Sequence, residues 1–221
     1  MKLKAVIFDM DGLLIDSEPF WKQAEYQVFS AKGVKVTPQL SELTATMTTR
    51  QVAEFWFTRY PWADASLDDV ENNVIDKVIE LVTEQGRPLD GVTETIDILK
   101  ANQIKIGLAT NSPAKVMHSI LAKLGIGHKF DVLTSADEVN QGKPSPEIYQ
   151  LTLSRLGVTA SNTIAFEDSL GGLAASVAAG IRTIAIPAQQ HYQSDKFAAA
   201  AAQLPSLSHF QLELAEQCLA G

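Results

Sequence analysis

Lys4-Ala5-Val6-Ile7-Phe8-Asp9-Met10-Asp11-Gly12 joins a short apolar run to two acids and a glycine. Val6 to Phe8 are β-branched or aromatic without interruption, the pattern of a strand covered on both faces in a parallel sheet. Asp9 and Asp11 come directly after it. An unpaired carboxylate in a low-dielectric interior is costly, so the pair belongs at the strand's carboxyl end, where open α/β sheets hold their ligands. Asp and Gly are also ordinary turn residues, and the stretch alone reads equally well as a surface turn. The rest of the chain decides between the two.

Downstream of Gly12 the pattern changes. Ser17-Glu18-Pro19 has the form of a helix start, and Phe20, Ala24 and Val28 recur at helical spacing before Gly33. Further starts follow at Thr37-Pro38 and near Thr49, and Ser66 with Asp69 has capping-box spacing ahead of Val70, Val74, Val78 and Leu81. Residues 17 to 86 therefore read as an inserted all-helical subdomain, far longer than an ordinary βα connection. From the turn-rich Gly86-Arg87-Pro88-Leu89-Asp90-Gly91 onward, strands alternate with helices: Ile104 to Ala109, Asp131 to Leu133, Thr163 to Phe166 and Arg182 to Ile186. Such alternation predicts an α/β fold, a doubly wound parallel sheet with helices on both faces, built from residues 1–16 and 87–221. The Ala-rich stretch Ala198 to Ala202 reads as a short helix or a surface segment.

Composition bounds the function. At 221 residues and 46% hydrophobic content the chain can bury a sizeable core. A net charge of -8 argues against a nucleic-acid or general polyanion binder, so a phosphate ligand would have to be held locally. Cys218 is the only cysteine, which excludes an internal disulfide. No apolar run approaches the roughly 20 residues that span a bilayer, and Met1 leads straight into the first strand without the pattern of a signal peptide. The expectation is a cytoplasmic protein with no membrane partner, monomeric or a small homo-oligomer.

In a parallel sheet the carboxyl ends of all strands face one rim, so residues distant in sequence can converge there. Asp9 and Asp11 follow the first strand, Thr110 and Asn111 the second, and Glu167 and Asp168 the fourth, while Lys143 lies in the turn-rich Gln141-Gly142-Lys143-Pro144-Ser145-Pro146. Several carboxylates with one lysine are a poor arrangement without a cation. A hard divalent ion, Mg²⁺ above all, relieves the repulsion and prefers oxygen ligands.

The set Asp9-Met10-Asp11-Gly12, Thr110-Asn111, Lys143 and Glu167-Asp168 resembles the four motifs of the haloacid dehalogenase-like superfamily, in order, spacing and strand context. The helical insertion sits where that family carries its small helical cap, and the run from Asp9 to Trp21 is most similar to its bacterial sugar-phosphatase branch. The resemblance implies a Rossmann-like core and Mg²⁺-dependent hydrolysis of small sugar or polyol phosphates. It implies Asp9 as nucleophile, forming an aspartyl-phosphate, and Asp11 as general acid and base. Mg²⁺ would be held by the Asp9 side chain, the Asp11 carbonyl and Asp168, with Glu167 either an outer ligand or a positioning group. Thr110 hydroxyl and Asn111 backbone N–H would hold phosphoryl oxygens, and Lys143 would neutralise the phosphate and Asp9.

The same resemblance raises rivals. Dehalogenases of the superfamily lack an acid at the place of Asp11, and the β-phosphoglucomutase-like members carry histidine where this chain has Trp21. A phosphorylatable signalling module of receiver type also clusters Asp, Thr and Lys on a doubly wound sheet, but without a helical insertion. Ser17 and residues 85 to 88 read as paired hinges, so a closing cap would exclude water. Arg50 could reach a substrate from the cap, although an exposed helical arginine is the simpler reading.

Overall fold

The computed structural model describes residues 2–44 and 47–220, and divides the chain into two compact units, Met1–Asp16 with Arg87–Gly221, and Ser17–Gly86. In the first unit, β1 (Ala5–Phe8) is buried at every position, as its unbroken apolar sequence requires. It pairs in parallel with β2 (Lys105–Thr110) on one side and β4 (Thr163–Glu167) on the other. With β3 (Val132–Ser135), β5 (Arg182–Ala185) and β6 (Ala202–Gln203) they form one six-stranded parallel sheet in the order β3-β2-β1-β4-β5-β6. The chain lays strands outward to one side of β1, then returns to lay the rest on the other. The switch point of this doubly wound order therefore lies between β1 and β4, where such sheets open a crevice for ligands.

Alternate residues of β1 serve opposite faces. Ala5 and Ile7 join a core cluster with Ile148, Tyr149, Leu153 and Leu156 of α7 (Glu147–Leu156) and Ala175 of α8 (Leu170–Ala178). Phe8 instead stacks against Phe166 and Phe130, with ring centroids 5.1 Å and 6.1 Å away, and Phe166 meets Phe210 edge-on. Helices α5 (Val92–Ala101) and α6 (Ala114–Leu124) precede and follow β2, and α9 (Leu212–Ala220) packs on β4 and β5. Gly125 and Gly157, both at positive φ, end α6 and α7 as left-handed caps.

The second unit contains α1 (Glu18–Ala31), α2 (Pro38–Thr44), α3 (Thr49–Arg59) and α4 (Leu67–Gln85), and no strand among its described residues. The predicted capping box at Ser66 and Asp69 is formed, and a second one, Thr48 with Gln51, opens α3. Helix α4 packs on α1 and α3. Its Val70, Val74, Val78 and Leu81 are buried, and Phe29, Trp56 and Trp62 form an aromatic cluster nearby. No helix among the described residues is long and apolar enough to cross a membrane.

Of the two readings of the Ala-rich stretch, the surface segment holds over residues 198–201, and the edge strand that follows is new. Residues 198–201 form turns rather than a helix, and Ala202–Gln203 pairs with Ile184 and Ala185 as edge strand β6. Two residues are too few to show a period-two pattern, and alanine carries little strand preference of its own.

Candidate active site

The carboxyl ends of β1, β2 and β4 carry Asp9, Thr110 and Glu167, all three buried. The Asp9 amide still belongs to the sheet, donating to Phe166 O at 3.0 Å, so its side chain is fixed directly past the last buried residue of β1. The next turn is tight: Gly12 at φ +77° lets its N–H reach Ile15 O at 2.8 Å. A Cβ at Gly12 would also lie 2.1 Å from Asp168 Oδ2, so glycine is required twice over.

Lys143 ties the two strand ends together. Its Nζ lies 2.5 Å from Asp9 Oδ1 and 2.6 Å from Glu167 Oε1, with the lysine side chain 5% exposed and Glu167 fully buried. Tyr149 donates its hydroxyl to the same Glu167 Oε1 at 2.5 Å. The second face of the Glu167 carboxylate rests where a side chain at Gly172 would stand, since a Cβ there would be 1.8 Å from Oε2. Gly172 thus makes room for a buried acid at the start of α8.

Asp11 is held by a separate set. Its Oδ2 accepts from Thr110 Oγ1 at 3.1 Å and from Ser112 Oγ at 2.7 Å, while the Ser112 amide donates back to Thr110 Oγ1 at 3.0 Å. The two acids of Asp9-Met10-Asp11 therefore have different partners. Met10 between them is fully buried. Thr110 and Asn111 precede α6 rather than forming its first turn, and the first amide of that helix, Ala114 N, donates to Asp137 Oδ2 at 2.8 Å. The Asn111 side chain bonds to the Lys143 backbone.

The electrostatics follow from burial. Burial pushes the Asp9 carboxyl well above its ordinary range, opposed by Lys143 and reinforced by Glu167, Asp168 and Asp11. Asp168 is raised to about 7 by burial and then by the charge of Glu167, with Lys143 pulling the other way. Burial lowers the Lys143 ammonium, but Asp9 and Glu167 more than reverse this and leave it above its usual value. The Tyr149 hydroxyl is raised, by burial first and then by Glu167 and Asp9. One lysine does not balance three acids.

Asp9, Glu167 and Asp168 each offer a carboxylate oxygen, and these lie within 4.8 Å of one another. The donors are all hard oxygens, and their excess charge would be relieved by a cation, so the residues fit a hard divalent ion. The Asp11 side chain is not part of this set; it faces the Thr110 and Ser112 hydroxyls.

Three residues of the site carry no functional signal in the sequence: Ser112, Tyr149 and Gly172. Ser112 follows Thr110-Asn111 in what reads as a helix cap, and Tyr149 falls on the apolar stripe of α7, where an aromatic reads as core. Gly171-Gly172 reads as a close helix packing, whereas Gly172 admits the Glu167 carboxylate.

A parallel sheet with a lysine-braced carboxylate cluster at its switch point defines a class of α/β hydrolytic enzyme. The chain belongs to the haloacid dehalogenase-like hydrolase family, whose profile matches residues 3–180. Among individual proteins, it is 37% identical over 209 residues to hexitol phosphatase B of Escherichia coli, covering 94% of each chain. It is 34% identical to a phosphorylated carbohydrates phosphatase of Thermotoga maritima, over 82% of this chain and 84% of that one. The crystal structure of CbbY from Rhodobacter sphaeroides in complex with phosphate superposes with a TM-score of 0.87 at 27% identity, covering 97% of this chain and 99% of that one.

Proposed function

We propose that the chain is a phosphatase of small sugar or polyol phosphates that works through an aspartyl-phosphate at Asp9 with Mg²⁺ as cofactor. The observation that carries the reading is the bridge of Lys143 between Asp9 and Glu167 at the β1–β4 switch point, with Asp168 beside it. The phosphatase names of the E. coli and T. maritima relatives support this substrate class.

An Asp9 carboxylate oxygen attacks phosphorus, and the bond from phosphorus to the sugar oxygen breaks. Asp11, in its acid form, gives its proton to that leaving oxygen. In the second half Asp11 takes a proton from water, the water oxygen bonds to phosphorus, and Asp9 is released with inorganic phosphate. Lys143 keeps Asp9 oriented and offsets charge on the phosphoryl group, and the Thr110 hydroxyl and Asn111 amide would donate to phosphoryl oxygens. Asp9, the Asp11 carbonyl and Asp168 would hold Mg²⁺, which would supply the positive charge that lets one anion approach another, while Glu167 anchors Lys143 behind them. Transfer of this kind depends mostly on positioning and electrostatics.

A phosphate-release screen over hexose, pentose and hexitol phosphates tests the reading. The expected result is turnover with Mg²⁺ that falls to background with excess chelator and returns on adding Mg²⁺. Release that is indifferent to chelator would remove the metal, and isomerisation of glucose 1-phosphate without release would replace hydrolysis by mutase chemistry.

A further inference from the structure

Lys143 lies in a segment outside helix and strand, residues 140–146, which has no ladder to fix it. Its ammonium nevertheless meets two carboxylates at once. Side-chain length and rotamers cannot secure that placement unless the backbone is itself held.

We propose that the Asn111 side chain is a positioning residue that clamps the backbone of Lys143 and so sets where its ammonium stands between Asp9 and Glu167. The proposal rests on the phosphatase reading above. Asn111 Nδ2 donates to Lys143 O at 3.0 Å, and the Lys143 amide donates to Asn111 Oδ1 at 2.8 Å. One side-chain amide thus takes both backbone groups of a single residue, offering donor and acceptor side by side as a neighbouring strand would. Gly142 makes the approach possible: a Cβ there would lie 2.6 Å from Asn111 Oδ1 and 3.2 Å from its Cγ.

The rest of the segment is pinned independently. Glu147 Oε2 accepts from the Asn140 and Gln141 amides at 3.0 Å and 3.2 Å, and the Ser145 amide donates to Gly142 O at 3.0 Å. Only the clamp acts at Lys143 itself among these bonds. Asn111 is exposed, so it fills no core. Exposed hydrogen bonds add little to global stability, whereas moving a catalytic ammonium by an ångström can cost about 100-fold in rate. The clamp is therefore expected to act on turnover and hardly on folding.

The test is a double-mutant cycle of the full chain with N111A, K143A and N111A/K143A, assayed with p-nitrophenyl phosphate and Mg²⁺. N111D joins it, preserving size and one acceptor while losing the donor to Lys143 O. Hydrogen exchange of the peptide containing the Lys143 amide is followed in parallel and needs no activity. N111A and N111D are expected to lower kcat by about 10- to 100-fold with KM changed less than about threefold. In the K143A background N111A should cost less than about twofold, and exchange at Lys143 should quicken in both Asn111 variants. An equal cost in both backgrounds, wild-type turnover by N111D, or unchanged exchange at Lys143 would each overturn the clamp. Failure of the wild-type chain to release phosphate from any phosphomonoester would overturn the phosphatase reading instead, and the exchange result would still decide the clamp.

Discussion

Lys143 and Arg50 each gather acidic side chains around one cation, the first in the sheet unit and the second in the helical unit. Lys143 is 5% exposed and faces Asp9 and Glu167, which are 9% and 0% exposed. Arg50 is 40% exposed, and its partners Glu54 and Asp68 are 52% and 76% exposed, with Glu71 at 3.5 Å. The charge count is similar and the physics differs. Around Arg50 water screens every pair, and the bonds to Asp68 and Glu54 only hold its guanidinium further into its charged form. Around Lys143 water is excluded, so each acid left without the lysine would carry an unmet desolvation cost. A cluster of charges becomes useful for reaction where the fold, not the solvent, must satisfy it.

The largest effect expected from breaking this contrast is on turnover. Asp9→Asn keeps the shape of the side chain but removes the proposed nucleophile, and phosphate release should fall by about 10⁴-fold or more; an active D9N enzyme would end the assignment. Next comes Lys143→Met, which leaves Asp9 and Glu167 buried without a cation. Loss of one partner from a buried ion pair costs about 3–5 kcal/mol, measurable by urea unfolding. Added Mg²⁺ should restore part of that loss, and more than it adds to the wild type, because the ion takes over the missing charge.

A smaller effect belongs to Asp131, which sits between the two extremes. Its carboxylate accepts from the Ile106 amide at 2.7 Å and from Lys100 Nζ at 2.9 Å. Burial raises its pKa, but the Ile106 and Lys100 bonds outweigh it and leave the group below its usual value. A depressed folded-state pKa gives stability that is present above the unfolded value of about 3.9 and disappears as pH falls through the folded one. Asp131→Asn should therefore be less stable than wild type at pH 7, by no more than about 1 kcal/mol after screening, and the gap should close below about pH 4. Smallest of all is Arg50→Ala: its unfolding midpoint should stay within error of wild type in about 0.5 M salt, where screening is nearly complete, and a clear loss there would show the surface cluster to be more than a solvated network.

The contrast also explains what was legible in the sequence. Strand β1 could be read because burial on both faces leaves an unbroken apolar run, and its acids stood out against that run. Asp9, Lys143, Glu167 and Asp168 could be grouped because parallel strands send their carboxyl ends to one rim. Tyr149 could not, since a buried tyrosine reaching an acid has the same spacing as one that only fills a core. The Asn111 side chain was equally silent: the backbone of a distant turn is invisible to any local pattern, and Thr110-Asn111 pointed only to the Thr110 hydroxyl and the Asn111 amide. Edge strand β6 failed for want of length.

The register of β1 with β4, in which Ala5 faces Thr163, has a consequence for biosynthesis. The ribosome delivers β1 first and β4 only after most of the chain has emerged, so the central strand of the sheet waits with one edge open. A nascent chain released between residues 143 and 163 holds Asp9, Asp11 and Lys143 but lacks the strand that carries Glu167 and closes the cluster. The enzyme's chemistry is thus a late product of synthesis, and fragments ending short of β4 should be inert and prone to aggregate.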